Sequence, residues 1–151
     1  MIYCIDTSAL IAARKESYPP DVFLNFWEQF EELITDGQLI APDEVKNELA
    51  ARDDELFSWA KQHADMFAAQ TARLQHAMKE SVLPLYNTSI PQLSLGKPWA
   101  DPWVIALAKL NGAQVITQEG GGQNKIPTIC AAHGMPCTNL VGLLRAEGWT
   151  F

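Results

Sequence analysis

Four acids in this chain stand where a backbone element begins, ends or turns. Asp6 closes a short apolar run, Glu48 lies within a helical stretch, Asp101 opens a helix, and Glu119 falls just past a second apolar run. If a fold gathers them, so many carboxylates repel one another unless a divalent cation lies among them, and hard oxygen donors are what Mg²⁺ or Mn²⁺ takes. Such a centre suits phosphodiester hydrolysis, which needs an activated water, a neutralised phosphate and a stabilised leaving oxygen, and no protein nucleophile. Other chemistries lack parts. His63, His76 and His133 have no zinc-ligand spacing and read as surface residues, Cys4 has no evident base, and no G-x-x-x-x-G-K-[ST] loop occurs. Arg14, Lys15, Arg52, Lys97 and Lys125 are candidates to meet substrate phosphates, with Lys97 and Lys125 preferred because each adjoins one of the acids.

Each acid also has a plainer role open to it. Asp6 can cap a helix starting near Thr7, and Asp101 followed by Pro102 makes a good N-cap. Against capping alone, Val104, Ile105 and Ala108 stack on the Asp101 side of its helix, so the carboxylate sits over an apolar stripe and needs a partner. The same geometry separates Glu48 from Glu44. With Val45 and Leu49 marking the buried seam, Glu48 lies roughly 80° from its centre and Glu44 roughly 120° away. Glu48 is then the inward-reaching acid, and Glu44, with Asp43, is a solvated charge favoured by the helix dipole.

The elements that must position these residues alternate. A strand over 2–5 leads into a helix over 7–13; Asp21 is read as the cap of a second, amphipathic helix carrying Val22, Phe23, Phe26, Trp27, Phe30, Leu33 and Ile34, which Asp36-Gly37 stops. A short strand at 39–40 precedes a helix with Pro42 in its first turn; residues 54–85 read as two more helices and 86–98 as a loop. A helix over 100–110, a strand over 114–117, a glycine-rich break at 120–122, a helix over 127–133, a strand over 136–138 and a helix over 140–146 complete the chain. This is the pattern of a parallel sheet covered by helices on both faces, in which functional groups gather at the carboxyl ends of the strands. Asp6 and Glu119 both fall on that edge.

Composition agrees with one domain over residues 1–151: 48% of the residues are apolar and 19% charged, and no linker or repeat divides them. No stretch approaches the roughly 20 apolar residues that cross a bilayer, and the first residues lack a signal peptide's basic region, so the expectation is a cytoplasmic protein without membrane contact. Cys4, Cys130 and Cys137 read as reduced thiols. A net charge of −7 argues against a nucleic-acid coat protein, though not against a nuclease, whose cation site is itself acidic.

Several segments resemble the PIN domain, in its order: I-D-T-S-A-L at 5–10, P-x-x-V-x-x-E-L at 42–49, A-D-x-x-V-I-A-L-A at 100–108 and V-I-T-x-E at 115–119. The length and the ending I-P-T-I-C-A-A-H-G-M-P-C-T-N-L are similar to small prokaryotic PIN proteins of the VapC-toxin type and a PIN-like subgroup among them. The resemblance implies a three-layer α/β/α sandwich with a mostly parallel sheet. It implies a Mg²⁺- or Mn²⁺-dependent endoribonuclease acting on RNA, the toxin of a toxin–antitoxin pair, with an antitoxin partner and often a homodimer. Asp6, Glu48 and Asp101 match the family's three most regular acids. Glu119 stands where Asp is commoner, and Thr7, Ser8 and Thr117 match hydroxyl positions that bond acids or substrate. Two other readings stay open. One is a phosphohydrolase with Asp6 as nucleophile, although Ser8 stands where such enzymes carry a second Asp. The other is a catalytically silent PIN-like module that binds RNA or protein.

Overall fold

A computed structural model describes residues 1–86 and 99–151. At its centre is β1 (Tyr3–Ile5), three residues wholly shielded from solvent, as expected of a strand covered on both faces. On one side β1 pairs with β2 (Leu39–Pro42), Tyr3 opposite Leu39; on the other it pairs with β4 (Gln114–Ile116), Tyr3 opposite Gln114. Two-residue strands β3 (Phe67–Ala68) and β5 (Cys137–Thr138) complete the order β3-β2-β1-β4-β5, every pairing parallel. Helices flank this sheet in a three-layer α/β/α sandwich: α1 (Thr7–Ala12), α2 (Leu24–Thr35), α3 (Asp43–Arg52), α4 (Asp54–Gln62), α5 (Ala72–Ala77), α6 (Asp101–Asn111), α7 (Ile126–Ala132) and α8 (Leu140–Glu147).

The connectivity makes the site edge. From β1 the chain moves outward to β2 and β3, then returns through α6 to β4 on the other side of β1. Strand order therefore reverses between β1 and β4, and the crevice beyond their carboxyl ends is where such sheets place ligands. Asp6 follows β1 and Thr117 follows β4. The Asp6 N–H extends the ladder by donating to the Ile116 carbonyl at 3.0 Å. Helix α6 packs against β1, β2 and β4 with Val104, Ile105 and Ala108 buried, and Gly112 ends it in the left-handed conformation at φ 61°.

Three local expectations change. Helix α2 starts at Leu24, not at a cap on Asp21, because the Pro19 carbonyl accepts the N–H groups of Val22 and Phe23 in a turn; Val22 is consequently 68% exposed and leaves the core stripe. Phe26, Trp27, Phe30, Leu33 and Ile34 do form that stripe. The 54–85 segment is not two helices alone: β3 sits between α4 and α5 and pairs with Ala41 and Pro42. Two residues are too few to show a strand's alternation. Of the 86–98 loop, 87–98 lie outside the described residues. Cys4 and Cys130 are buried, Cys137 is half-buried, and all three are free.

Gly142 in α8 lies against β5. A Cβ there would stand 1.8 Å from Thr138 Oγ1 and 2.9 Å from Thr138 Cβ, atoms of a short branched side chain that cannot swing clear. Gly142→Ala is expected to destabilise the protein by about 1–3 kcal/mol or more, although alanine is the better helix former. Urea unfolding of the two proteins measures it; equal midpoints would mean α8 shifts freely on the sheet.

Candidate active site

Asp6 is 1% exposed and held on both oxygens. The Ala9 N–H donates to Oδ1 at 2.8 Å, making Asp6 the N-cap of α1; Thr117 Oγ1 donates to Oδ2 at 2.6 Å, and Ser8 Oγ lies 2.9 Å from each oxygen. Capping and site placement are thus the same geometry. Burial raises the Asp6 carboxyl to about 6, against the hydrogen bonds from Thr117, Ala9 and Ser8, with the Glu119 charge adding to the rise.

Glu48 ties two helix starts together. Its Oε1 accepts from Thr7 Oγ1 at the first turn of α1, and its Oε2 accepts from the Ala100 N–H at 3.2 Å, just before α6. Asp101 is the first residue of α6, but Ala100 occupies the cap position, and among the described residues no side chain caps this helix. The Asp101 carboxylate is therefore free for the cavity. Burial pushes its pKa well above the ordinary range, and Glu119, within hydrogen-bonding reach, pushes it further, as do Asp6 and Glu48. The neighbouring carboxylates thus make a negative charge on Asp101 unfavourable until something positive enters the cavity.

Glu119 is placed by the segment after β4. Its N–H donates to Thr117 Oγ1 at 3.0 Å, the Gln118 N–H reaches Ser8 Oγ at 3.2 Å, and Gln118 Oε1 accepts from the Leu140 N–H at 2.9 Å. Lys125 Nζ stands 4.0 Å from Glu119 Oε2. All four acids, with Thr7, Ser8 and Lys125, line one cavity of about 250 Å³. Thr117 lies behind it, bonded to Asp6.

The cavity also has members that sequence reasoning ranked low or passed over. Arg52, at the end of α3, lines it, whereas Arg14 and Lys15 are engaged by Glu55, at 2.8 Å and 3.1 Å. Lys97 lies outside the described residues. Trp99, Gln123 and Asn124 complete the lining, and none carried a signal of its own: Trp99 was one apolar residue beside a proline, and the polar pair followed a glycine run. Glu44 is a correction. It lies outside the cavity as expected, yet it is only 8% exposed, because β3 and the following Gln70 pack over the first turn of α3. Gln70 Nε2 donates to its Oε2 at 3.1 Å while Oε1 has no hydrogen-bond partner among the described residues, and burial raises its pKa. His63 and His133 are half-buried instead of superficial, and His76 is exposed.

The donors lining the cavity are carboxylate, hydroxyl and amide oxygens without histidine or cysteine, a set suited to Mg²⁺ or Mn²⁺ and not to zinc. They are spread over the wall: among the described residues no three acidic, histidine or cysteine side chains close around a single point. Asp6, Glu48, Asp101 and Glu119 are the carboxylates that would hold such a cation.

A family model described as a domain of unknown function, DUF4411, matches residues 3–151. The chain belongs to the DUF4411 family. No curated protein matches it. Among solved structures, this DUF4411 chain resembles one in the crystal structure of VapBC2 from Rickettsia felis bound to a DNA fragment from their promoter. The TM-score is 0.51 at 14% identity, over 92% of this chain and 98% of the other. At that identity the likeness is one of fold. Among the described residues no helix is long and apolar enough to cross a membrane.

The raised carboxyl of Asp6 fixes a pH dependence for the cation-free protein. An acid that holds its proton more tightly when folded costs nothing below its unfolded pKa, near 4, and its full penalty above its folded one, at about 6. Stability in chelator is expected to fall by about 3 kcal/mol as pH rises from 4 to 7 on account of Asp6, with Asp101 extending the fall upward. Asp6→Asn keeps the cap and should flatten the curve. Urea midpoints across that range decide it; a wild-type curve that rises with pH in chelator would contradict the assignment.

Proposed function

We propose that this DUF4411 protein is a Mg²⁺- or Mn²⁺-dependent endoribonuclease, the toxin of a toxin–antitoxin pair, with Asp6, Glu48, Asp101 and Glu119 as its catalytic and cation-holding residues. The observation that carries the reading is convergence: four acids from four separated segments line one cavity whose rim carries Arg52 and Lys125. Mg²⁺ or Mn²⁺ bound there would neutralise the phosphate, activate the attacking water and stabilise the leaving oxygen. The chain supplies the rest. Ser8, Thr117 and the Ala9 N–H fix the Asp6 carboxylate, Thr7 and the Ala100 N–H fix Glu48, and Arg52 and Lys125 draw the RNA backbone to the mouth of an otherwise negative cavity. In hydrolysis the water oxygen bonds to phosphorus, the bond from phosphorus to the leaving ribose oxygen breaks, and that oxygen takes up a proton. An antitoxin, by analogy with the VapBC2 complex, and a second copy of the chain are the protein partners this reading carries.

The phosphohydrolase alternative lacks its second acid, since the residue two after Asp6 is Ser8, whose hydroxyl lies 2.9 Å from both Asp6 oxygens. The silent-module alternative draws on the spacing of the acids, which do not enclose one point as placed. Incubating the purified protein with a single-stranded RNA and with p-nitrophenyl phosphate, each with Mn²⁺ and with EDTA, separates the three. Mn²⁺-dependent RNA fragments support the ribonuclease, released nitrophenol the phosphohydrolase, and neither the silent module.

A further inference from the structure

The acid cavity contains one feature that its proposed hydrolytic chemistry does not use. Among the described residues, Trp99 is the single aromatic side chain in its lining. It is half-buried, and its ring is held by an edge contact with Tyr86, centroids 4.8 Å apart at 78°. Tyr86 is itself only 4% exposed, so the contact is made from within the core. The indole thus forms part of the wall of a cavity otherwise lined by charged and polar groups. Trp99 immediately precedes Ala100, whose N–H holds Glu48, and stands two residues before Asp101, so its place is tied to that of the acids.

Charge sharpens the point. The protein carries a net −7 and this cavity sets four acids against two cations, Arg52 and Lys125, so attraction of the phosphate backbone, which usually dominates nucleic-acid affinity, has few partners here. Stacking of a base on an aromatic ring does not depend on that charge. We propose that Trp99 is the platform on which the base beside the cleaved phosphate stacks, and hence a residue that selects unpaired RNA. A base within a duplex already has both faces covered and must be unstacked to use the platform. This inference rests on the ribonuclease reading of the same cavity.

Anisotropy of a labelled twelve-nucleotide single-stranded RNA, with Ca²⁺ in place of Mn²⁺ to permit binding without relying on cleavage, tests it. Trp99→Leu keeps apolar bulk and removes the ring, and should weaken binding about 5- to 150-fold; Trp99→Phe should stay near wild type. Removing the base from one nucleotide at a time should cost wild type a similar factor at one position and cost Trp99→Leu nothing further there, since both changes delete the same contact. Equal affinities of wild type and Trp99→Leu, penalties that simply multiply, or no RNA binding by wild type overturn the platform. If Trp99→Leu does not fold, the base-removal series on wild type decides alone: one sensitive position upholds the platform and a uniform response overturns it. Ring-dependent binding without Mn²⁺-dependent cleavage would overturn the ribonuclease reading and leave the platform standing. Cleavage that ignores Trp99 would do the reverse.

Discussion

Asp6→Asn and Asp101→Asn are each expected to lower single-turnover RNA cleavage with Mn²⁺ by more than about 100-fold while the protein stays folded. Even a side chain that merely supports a metal ligand is worth about 10- to 100-fold, so removing the charge of a ligand must exceed that. Fold is preserved for different reasons at the two positions. Asn at 6 still accepts from the Ala9 N–H and caps α1, and Asp101 caps nothing that its replacement could lose. Thr117→Val, which deletes the 2.6 Å bond to Asp6, should fall within the 10- to 100-fold range and so rank below both. Glu119→Gln should be milder than Asp101→Asn, because Glu119 stands where the PIN resemblance has a shorter acid and is partly answered by Lys125. Undiminished cleavage by Asp101→Asn would remove the cavity from consideration as the active site.

The second large effect is on stability. Buried carboxylates that repel one another destabilise the cation-free fold, and an ion bound only by the folded chain stabilises it by RT ln(1 + [L]/Kd). At about 100 times Kd that is roughly 2.7 kcal/mol, which for a domain of this size raises Tm by about 5–11 °C. Asp101→Asn should melt above wild type in EDTA at pH 8, because a buried charge with unfavourable neighbours has been removed, yet gain little from Mn²⁺. Calorimetric scans of both proteins with Mn²⁺ and with EDTA give four curves; equal Mn²⁺ shifts in the two proteins would show that Asp101 is not a ligand.

What could be read from the sequence depended on how many residues carried each signal. β1, β2 and β4 showed as apolar runs, and α6 as an apolar helix closed by Asn111-Gly112, because burial on both sheet faces leaves continuous apolar segments. β3 did not show, and its absence carried over to Glu44, which has a solvated helix position until Phe67, Ala68 and Gln70 fold over it. Asp101 illustrates a different limit. Asp-Pro at a helix start is a cap pattern, and only the backbone shows that Ala100 takes the cap position. The acids were legible because strand ends and helix faces constrain carboxylates strongly. Trp99 was not, and Arg52 was only one of five candidate cations, since what brings both to the cavity is the meeting of the end of α3 with the start of α6, far apart in the chain.

Anomalous scattering from Mn²⁺ soaked into crystals of the protein tests the cation's place most directly. The expected result is a peak in the cavity bonded to Asp6 and Asp101 at about 2 Å, with Glu48 or Glu119 bonded directly or through water. A peak elsewhere, or none at saturating Mn²⁺, would contradict the assignment of these acids to a hydrolytic metal centre.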